Sequence, residues 1–385
     1  MSAALRGKRV IFVFDSLEMG GAERQGLLLA AHLSREGGAA VQVWGFDRPG
    51  ALIALCEALS IPWRVVPVSW PRGRAGKVRS LVRLIWALRR ARPEAILPYT
   101  MRPNVLCALV WRLSGATCCV WNQRDAGVQR LGAAIERRAI ARVPIIVSNS
   151  VPGRDFLARE LGVPAQTVAV VPNGVELARP LEDRASWRHR LGLDPRAVVA
   201  CMIANFHALK DHRTLIRAWR HVVDREAELG GRPVLLLAGH AWEPPALLAS
   251  LAVALGIANA VRFVGQVIDV AGLLGACDLA VLSSRSEGSP NAVLEAMAAG
   301  LPVAGTDNAG IRDVVGPAGA PYLAPPGDAE ALAERIVCLA RDCGLRTRLG
   351  EANRRRAAGE FSPERMCRDM VAIVRRGLEG AAVRG

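Results

Sequence analysis

Short apolar runs alternate with helical patterns along most of the chain, and this alternation constrains the fold more than any other feature. Residues 9–14 have the composition of a buried strand. A turn at Gly20 and Gly21 and a helical pattern at 22–33 follow, and residues 40–46 have the composition of a second strand. Strand, glycine turn, helix and strand in this order predict a βαβ unit with parallel strands.

The same alternation continues to about residue 171 and resumes near residue 198. The further strands that we predict are 95–97, 117–121, 144–148, 168–171, 198–203, 234–238, 261–264, 279–283 and 301–305. A turn at 172–174 and a polar stretch to Arg190 separate the two series. We therefore predict an α/β protein with two doubly wound domains, 1–171 and 172–362, that face a cleft at the carboxyl ends of their sheets. A last helix, within 363–385, is expected to pack back on the first domain.

Composition narrows the class of protein. With 51% hydrophobic and 22% charged residues the chain is globular and not disordered, and no apolar run is long enough for a membrane span. Its nine cysteines show neither C-x-x-C spacing nor a histidine-rich partner cluster. Cys118 and Cys119 lie in an apolar run, where a free cysteine behaves as a small core residue. We expect reduced cysteines and a cytoplasmic protein.

Positive charge is concentrated in the first half of the chain. Residues 1–171 hold 24 Lys and Arg against 11 Asp and Glu, whereas the remainder holds 26 against 24. The stretch between Glu57 and Glu94 contains no acid and nine basic residues. Within it, 77–90 has the pattern of an amphipathic helix whose apolar face comprises Leu81, Leu84, Ile85 and Leu88, with Val78 beside them. Such a helix binds an anionic membrane surface, or it packs on its own domain with a solvated basic face.

The strongest chemical signal is the segment 286–297, which follows a predicted strand and opens a helix. We expect Ser289 at the N-cap and Pro290 at the first helical position, because both residues are favoured there. Free N–H groups and the positive end of the helix dipole suit a diphosphate. Gly288 lets a ligand approach the backbone closely.

Two glutamates flank this helix start. Glu287 precedes the helix and Glu295 lies inside it, so both can line one pocket mouth with a diphosphate between them. A carboxylate accepts hydrogen bonds from two neighbouring hydroxyls, as on a ribose or another sugar. The alternative is an ordinary helix start with one N-terminal acid and one surface charge.

Glu287 and Glu295, which are separated by seven residues and followed by Ala-Met-Ala-Ala-Gly-Leu-Pro-Val, resemble the E-x7-E motif of retaining glycosyltransferase family four, with the GT-B fold. Four further segments resemble motifs of that family in the expected order, so the resemblance covers nearly the whole chain. They are a first-strand glycine loop at 20–23, a linker strand at 171–175, a Gly-Arg-(x)4-Lys phosphate loop at 204–211 and a late glycine loop at 310–314.

The resemblance implies a site for a nucleotide diphosphate sugar in the second domain. Lys210 matches the lysine that holds the donor diphosphate, and it is one of only three lysines, with Lys8 and Lys77. A cation there stabilises the charge that develops on the departing phosphate. Asn205 stands where the family usually has arginine; because asparagine brings no charge, Lys210 carries more of the work.

The resemblance also implies the other residues that bind the donor. Glu295 matches the glutamate on the nucleotide ribose, and Glu287 matches the one near the donor sugar. The remaining members of this expected set are Gly21, Gly288, Ser289, Pro290 and Asn291.

The first domain departs from the family pattern. Many members place a histidine after the fourth strand, near the transferred sugar, but 120–127 contains none. Arg124 or Asp125 takes a positioning role there, or the segment is an ordinary loop with an Asp–Arg pair. We expect His207, His212 and His240 to be structural or peripheral.

The function implied is transfer of a sugar from a nucleotide diphosphate sugar, with UDP as the default, to a hydroxyl of a saccharide or polyprenyl-linked saccharide. Retention at the anomeric carbon and a place in surface polysaccharide assembly, at the inner face of the cytoplasmic membrane, are part of this expectation. No Asp-x-Asp motif lies near the segment 286–297. Lys210 and the helix end can replace a divalent ion, so we expect no metal and no cofactor.

Other function classes remain as alternatives. A transferase for a soluble natural-product acceptor and a sugar-nucleotide epimerase of the same fold both fit the motifs. A glycoside hydrolase also uses two carboxylates but needs no phosphate site. A dinucleotide oxidoreductase is disfavoured because 15–21 does not contain G-x-G-x-x-G. A nucleic-acid-binding protein would explain the charge but not the segment 286–297.

Overall fold

The computed structural model describes residues 5–71, 73–241 and 244–382. Arg72, one of the nine basic residues between Glu57 and Glu94, lies outside them. The chain forms two compact units. The first comprises the residues up to Gly174 together with those from Pro363 onward, and the second comprises Val175–Ser362.

The first unit is built on seven strands: β1 Arg9–Phe14, β2 Ala40–Phe46, β3 Trp63–Val66, β4 Ala95–Pro98, β5 Cys118–Gln123, β6 Ile145–Ser148 and β7 Val168–Val170. All strand pairs are parallel, in the order β3-β2-β1-β4-β5-β6-β7. Six helices connect them: α1 Gly21–Arg35, α2 Leu52–Ala58, α3 Arg74–Ala91, α4 Met101–Ser114, α5 Ala133–Ile140 and α6 Val151–Leu161.

Helices cover both faces of this sheet, which explains the unbroken apolar composition of its central strands. Along β1, Val10, Phe12 and Phe14 belong to one apolar cluster. The alternate residues Ile11 and Val13 belong to a second cluster on the opposite face. The period of two along the strand therefore divides one apolar run between two cores.

The second unit has a six-stranded parallel sheet in the order β10-β9-β8-β11-β12-β13. Its strands are β8 Val198–Ile203, β9 Pro233–Ala238, β10 Val261–Gly265, β11 Leu279–Leu282, β12 Val303–Thr306 and β13 Leu323–Ala324. Its helices are α7 Arg184–Arg190, α8 His212–Asp224, α9 Ala246–Ala254, α10 Val270–Ala276, α11 Asn291–Ala298, α12 Ala309–Gly319, α13 Ala329–Arg341 and α14 Cys343–Glu360. Strands β8 and β11 are neighbours, so the loops that follow them emerge side by side.

The last helix, α15 Pro363–Ala382, belongs to the first unit although it follows the second in sequence. Met366, Met370, Ile373 and Val374 join the apolar cluster formed by β1 and α1. A Cβ on Gly377 would lie 2.5 Å from the Cys118 sulfur, so the helix approaches β5 closely. The expected packing of this helix on the first domain is confirmed.

Helix α3 bears on one detail of the sequence interpretation. Leu84 and Leu88 are buried, and Leu81 and Ile85 pack against the same cluster. This apolar face is therefore turned into the protein, as in the second of the two alternatives given above, and membrane contact by this helix stays a prediction. Val78, placed beside that face, is 60% exposed.

Two further features bear on the class of protein. All nine cysteines are free thiols, and seven of them are buried. Along the part of the chain that the structure describes, no helix has the length and hydropathy needed to cross a membrane.

Candidate functional site

The start of α11 is the centre of the candidate site in the second unit. The helix begins at Asn291, and Pro290 is its N-cap with φ −73° and ψ 110°. The expectation of Ser289 as N-cap and Pro290 as first helical residue is wrong by one position. Pro290 has the extended ψ of an N-cap residue. Proline has no backbone N–H, but the N–H of a cap residue needs no partner within the helix, so proline is tolerated at this position. Gly288 precedes the cap and is buried.

Lys210 and Glu287 form an ion pair beside this helix start. The Lys210 Nζ lies 2.5 Å from Glu287 Oε1, and the two side chains are 30% and 11% exposed. Lys210 ends a single 3-10 turn, Ala208–Lys210, after β8. His207 caps that turn by accepting a hydrogen bond at Nδ1 from the Leu209 N–H. The carboxyl ends of β8 and β11 thus bring together two residues 77 positions apart.

A second ion pair joins the same two loops. Arg285 Nε donates to Asp211 Oδ2 at 2.9 Å, and the Asp211 side chain is only 4% exposed. Asp211 has φ 47°, in the left-handed region, and its carboxylate caps α8. The Ser283 hydroxyl also donates to the Lys210 carbonyl at 2.9 Å. These contacts, which sequence reasoning missed, fix the backbone that carries Lys210 against the backbone that carries Glu287.

The end of β12 and the loop after it also support the segment that carries Glu287. The Thr306 hydroxyl donates to the Ser284 carbonyl at 2.5 Å, and Asn308 Nδ2 donates to the same carbonyl at 2.8 Å. A Cβ on Gly310 would lie 2.3 Å from the Glu287 carbonyl oxygen. Only glycine fits there, because any side chain would meet backbone.

Glu295 lies on α11 about one turn after its start, with 6% of its surface exposed. Ser289 and Asn291 lie on either side of the cap and are partly exposed. The second unit therefore holds Lys210, Glu287, Glu295 and the residues from Gly288 to Asn291 around one helix start.

Asn205 and the nearby histidines belong to the loops after β8 and β9. The His240 N–H donates to Asn205 Oδ1 at 3.2 Å. The side-chain NH₂ of Asn205 can therefore donate to another acceptor. His212 is 3% exposed and stacks on Phe206 with ring centroids 4.7 Å apart. Burial, and then the Lys210 charge, lower the pKa of His212 to about 4, so its imidazole is neutral at pH 7. A neutral, stacked ring has a packing role.

Arg124 and Asp125 follow β5 in the first unit. Arg124 Nη2 donates to Asn173 Oδ1 at 2.8 Å, and its guanidinium lies 5.1 Å from the centre of the Tyr99 ring. Its buried Nε has no hydrogen-bond partner among the described residues. Asp125 Oδ1 accepts from Gly127 N–H at 2.7 Å and from Gln123 Nε2 at 3.0 Å. The Asp125 carboxylate therefore holds the turn of its own loop, whereas the Nε of Arg124 has no hydrogen-bond partner among the described residues.

Gly21 opens α1, and the first turn of this helix holds a carboxyl that sequence reasoning did not single out. Glu23 lies in the first turn of α1. A Cβ on Gly20 would lie 2.3 Å from Glu23 Oε2, so the carboxyl folds back on the helix start. Desolvation raises the pKa of Glu23 to about 7, Asp15 adds to the rise, and Arg124 opposes it. Glu23 is therefore close to half protonated at neutral pH. The position of Glu23 in the segment 20–23, which resembles a family motif, was the one sequence feature that could have marked it as a candidate site residue.

An ion-pair chain lies at the same edge of the first sheet. Arg102 Nε lies 2.5 Å from Asp15 Oδ1, and Arg102 Nη1 lies 2.9 Å from Asp47 Oδ2. These carboxylates follow β1 and β2, and the one guanidinium pairs with both of them. Among the described residues, no group of three or more His, Cys, Asp or Glu is arranged to hold a metal ion. Metal independence remains a prediction.

Two family models match the chain. A model described as Glycosyltransferase Family 4 matches residues 19–179. A model described as Glycosyl transferases group 1 matches residues 197–342. Between them the two matches cover most of the sequence.

Curated relatives match part of the chain. The D-inositol 3-phosphate glycosyltransferase of Streptomyces bingchenggensis is 28% identical over 258 residues, which are 65% of this chain and 55% of the relative. The N-acetyl-alpha-D-glucosaminyl L-malate synthase of Bacillus anthracis is 30% identical over 184 residues, 48% of this chain and 47% of the relative. The chain spans about half the length of the curated relatives it matches.

Among solved structures, Alr3699/HepE of Anabaena in complex with UDP and glucose aligns with a TM-score of 0.82. The alignment covers 95% of this chain and 99% of that chain at 20% identity. At this identity the likeness is one of fold.

Proposed function

We propose that this chain, which belongs to glycosyltransferase family 4 and has the GT-B fold, transfers a sugar from a nucleotide diphosphate sugar to an acceptor hydroxyl with retention of configuration. The observation that carries the proposal is the Lys210–Glu287 pair at the start of α11, 2.5 Å apart and braced by two neighbouring loops. UDP is the favoured nucleotide. The related fold of Alr3699/HepE, whose structure contains UDP and glucose, supports that choice.

The donor diphosphate binds between the Lys210 ammonium and the start of α11, at the positive end of the helix dipole. Without donor, Glu287 neutralises Lys210. When the donor is bound, its diphosphate replaces Glu287 as the ion-pair partner of Lys210. The Glu287 carboxylate then accepts hydrogen bonds from the hydroxyls of the sugar. Glu295 accepts hydrogen bonds from the ribose hydroxyls, and Asn205 supplies a neutral contact to phosphate.

In the transfer step the bond between the anomeric carbon and the phosphate oxygen breaks as the acceptor oxygen bonds to that carbon from the same face. The acceptor proton passes to the departing diphosphate, so the products are a glycoside and a nucleoside diphosphate. The protein contributes positioning and charge stabilisation and forms no covalent intermediate. Lys210 and the helix dipole stabilise the leaving group, which makes a divalent ion unnecessary.

The acceptor is a saccharide or a polyprenyl-linked saccharide, and the pathway is surface polysaccharide synthesis in the cytoplasm. The first unit binds this acceptor. Arg124, which follows β5 and is partly exposed, is the residue that positions it. Asp125 holds the loop in which Arg124 lies.

The experiment that tests the function is a transfer assay with a panel of UDP-, GDP-, ADP- and dTDP-sugars, followed by NMR of the product. The expected result is release of one nucleoside diphosphate with an anomeric configuration equal to that of the donor. Full activity should persist in EDTA. An inverted product would contradict the retaining mechanism, and activity lost in EDTA and restored by Mg²⁺ or Mn²⁺ would contradict metal independence. Conversion of the sugar nucleotide without acceptor would indicate an epimerase.

A further inference from the structure

A cavity of about 570 Å³ lies in the first unit, at the N-terminal ends of β5, β6 and β7. Ile145 and Val168, the first residues of β6 and β7, line it, and helices α4 and α15 contribute its walls. Sites for small organic ligands typically have volumes of about 300–1,000 Å³. Arg124 and Asp125 follow the carboxyl end of β5, so this cavity is a separate feature at the opposite end of the first sheet.

The walls of this cavity are mostly apolar. Trp111 of α4 is 8% exposed, and its indole N–H donates to the Arg142 carbonyl at 3.0 Å, which fixes the ring. Helix α15 contributes the buried Ile373 and two glycines, Gly377 and Gly380. A Cβ on Gly377 would collide with β5, whereas a Cβ on Gly380 would meet no heavy atom within 4 Å. The helix therefore lies close to the sheet at Gly377 and leaves open space at Gly380.

Two arginines from different helices bring positive charge to this cavity. Arg112 of α4 and Arg376 of α15 both line it and are exposed to solvent. The described lining contains no carboxylate, and neither guanidinium forms an ion pair with a carboxylate of the described residues. The Arg112 guanidinium lies 5.2 Å from the centre of the Trp111 ring. Positive charge and apolar surface are therefore next to each other in one cavity.

We propose that this cavity, defined by Trp111, Arg112, Ile373 and Arg376, binds a small amphipathic anion with an apolar body and one carboxylate or phosphate group. The apolar body lies against Trp111 and Ile373, which removes apolar surface from water. Guanidinium groups bind a carboxylate or phosphate through paired N–H donors. Charge complementarity selects an anion, because both arginines would repel a cationic head group. This inference goes beyond the proposed function and uses none of the residues assigned to it.

Isothermal titration calorimetry of the full chain tests the proposal with octanoate and octyl phosphate as probes. Both should bind saturably, whereas acetate, which lacks the apolar body, and octyltrimethylammonium, which carries the opposite charge, should not. Decanoate should bind about 15-fold more tightly than octanoate, because two more methylene groups are buried. Binding of only one of the two anions would support the site and identify its head group. No saturable binding of either anion by about 1 mM, or equal binding of the cation, would overturn the proposal.

Variants of the two arginines locate the charged part of the site. Arg112→Gln/Arg376→Gln should bind octanoate at least roughly tenfold more weakly, because hydrogen bonds between charged groups are lost. The matched control is Arg375→Gln, which changes the next residue of α15. Arg375 pairs with Glu379 at 3.6 Å and does not line the cavity. Equal octanoate affinity in the double variant and the control would overturn the assignment to this cavity.

A second variant fills the cavity without removing charge. Gly380→Leu adds a side chain where the Cβ meets open space, so octanoate should bind at least roughly tenfold more weakly. The matched control is Gly359→Leu in α14, where an added Cβ also meets no heavy atom within 4 Å. Octanoate affinity in the control should equal that of wild type. An unchanged affinity in Gly380→Leu would contradict binding in the cavity.

Two readouts separate ligand binding from folding and from the transfer reaction. The arginines are exposed and leucine is a better helix former than glycine, so all variants should melt within a few degrees of wild type. Octanoate should raise the melting temperature of wild type and of both controls more than that of the cavity variants. UDP binding should be unchanged in the cavity variants, since the proposed nucleotide site belongs to the second unit. Failure of the transferase activity would leave the octanoate result intact, and failure of octanoate binding would leave the activity intact.

Discussion

At the residue scale, Lys210 carries the largest share of the proposed chemistry. Its ammonium pairs with Glu287 at 2.5 Å, and Asn205 stands where the family that the chain resembles usually has a second cation. Sequence reasoning identified both Lys210 and Glu287, because each lies in a recognisable motif. It did not identify Asp211 or Arg285, whose ion pair depends on two loops 74 positions apart.

Replacing Lys210 by alanine should lower kcat by roughly 10²–10³-fold, because a preorganised charge beside the leaving group is lost. Nucleotide affinity should fall as well. Steady-state kinetics with the identified donor measure both effects. The matched control is Lys8→Ala, since Lys8 also pairs with a glutamate, Glu94 at 2.9 Å, but in the first unit. Comparable losses in the two variants would remove Lys210 from the mechanism.

Glu23 makes the stability of the protein depend on pH. Its pKa is about 7 in the folded state against 4.5 as the ordinary value, so between these values the folded state binds more protons than the unfolded one. The free-energy contribution of Glu23 to folding therefore becomes less favourable as the pH rises from about 4.5 to about 7. Glu23→Gln should melt above wild type at pH 8 and show little gain at pH 4.5.

Thermal unfolding of wild type and Glu23→Gln at the two pH values measures this difference. The exposed Glu57 provides the control, and Glu57→Gln should change the melting temperature equally at both. A gain for Glu23→Gln that is the same at pH 4.5 and pH 8 would mean that the folded-state pKa is not raised.

At the scale of elements, the strands predicted from the sequence correspond to strands of the structure, because buried parallel strands have a continuous apolar composition that is easy to recognise. Strand β3, Trp63–Val66, was missed because it lies at the edge of the sheet and two of its four residues are exposed. The start of α11 was misplaced by one residue because the sequence alone does not reveal the extended ψ of Pro290.

The contact between α12 and the Glu287 loop gives an element-scale prediction. Gly310→Ala places a Cβ 2.3 Å from the Glu287 carbonyl oxygen, so the loop must move. We expect a loss of about 1–3 kcal/mol in the free energy of unfolding and a loss of nucleotide binding. The control is Gly275→Ala in α10, where no atom lies within 4 Å of the added Cβ. It should be neutral or slightly stabilising. Normal nucleotide affinity in Gly310→Ala would show that the loop position does not matter for binding.

At the scale of the whole molecule, the two units differ in charge and in proposed task. The first carries all of the net positive charge, and the second carries Lys210, Glu287 and Glu295. The general architecture followed from the sequence, because the alternation of strands and helices runs through both units. The identity of the base, the sugar and the acceptor could not be predicted from the sequence. Individual contacts between the protein and its ligands determine these identities, and no motif encodes them.

The central claim is that the second unit binds a nucleoside diphosphate at the start of α11. The most direct measurement is the thermal shift of the protein with UDP, GDP, ADP and dTDP, repeated on Lys210→Ala, Glu295→Gln and the control Lys8→Ala. A ligand at 100 times its Kd adds about 2.7 kcal/mol, which is a shift of a few degrees. We predict that UDP raises the melting temperature of wild type and Lys8→Ala, and that the shift is lost in Lys210→Ala and Glu295→Gln. No shift with any of the four nucleotides, or a shift that survives both substitutions, would contradict the account.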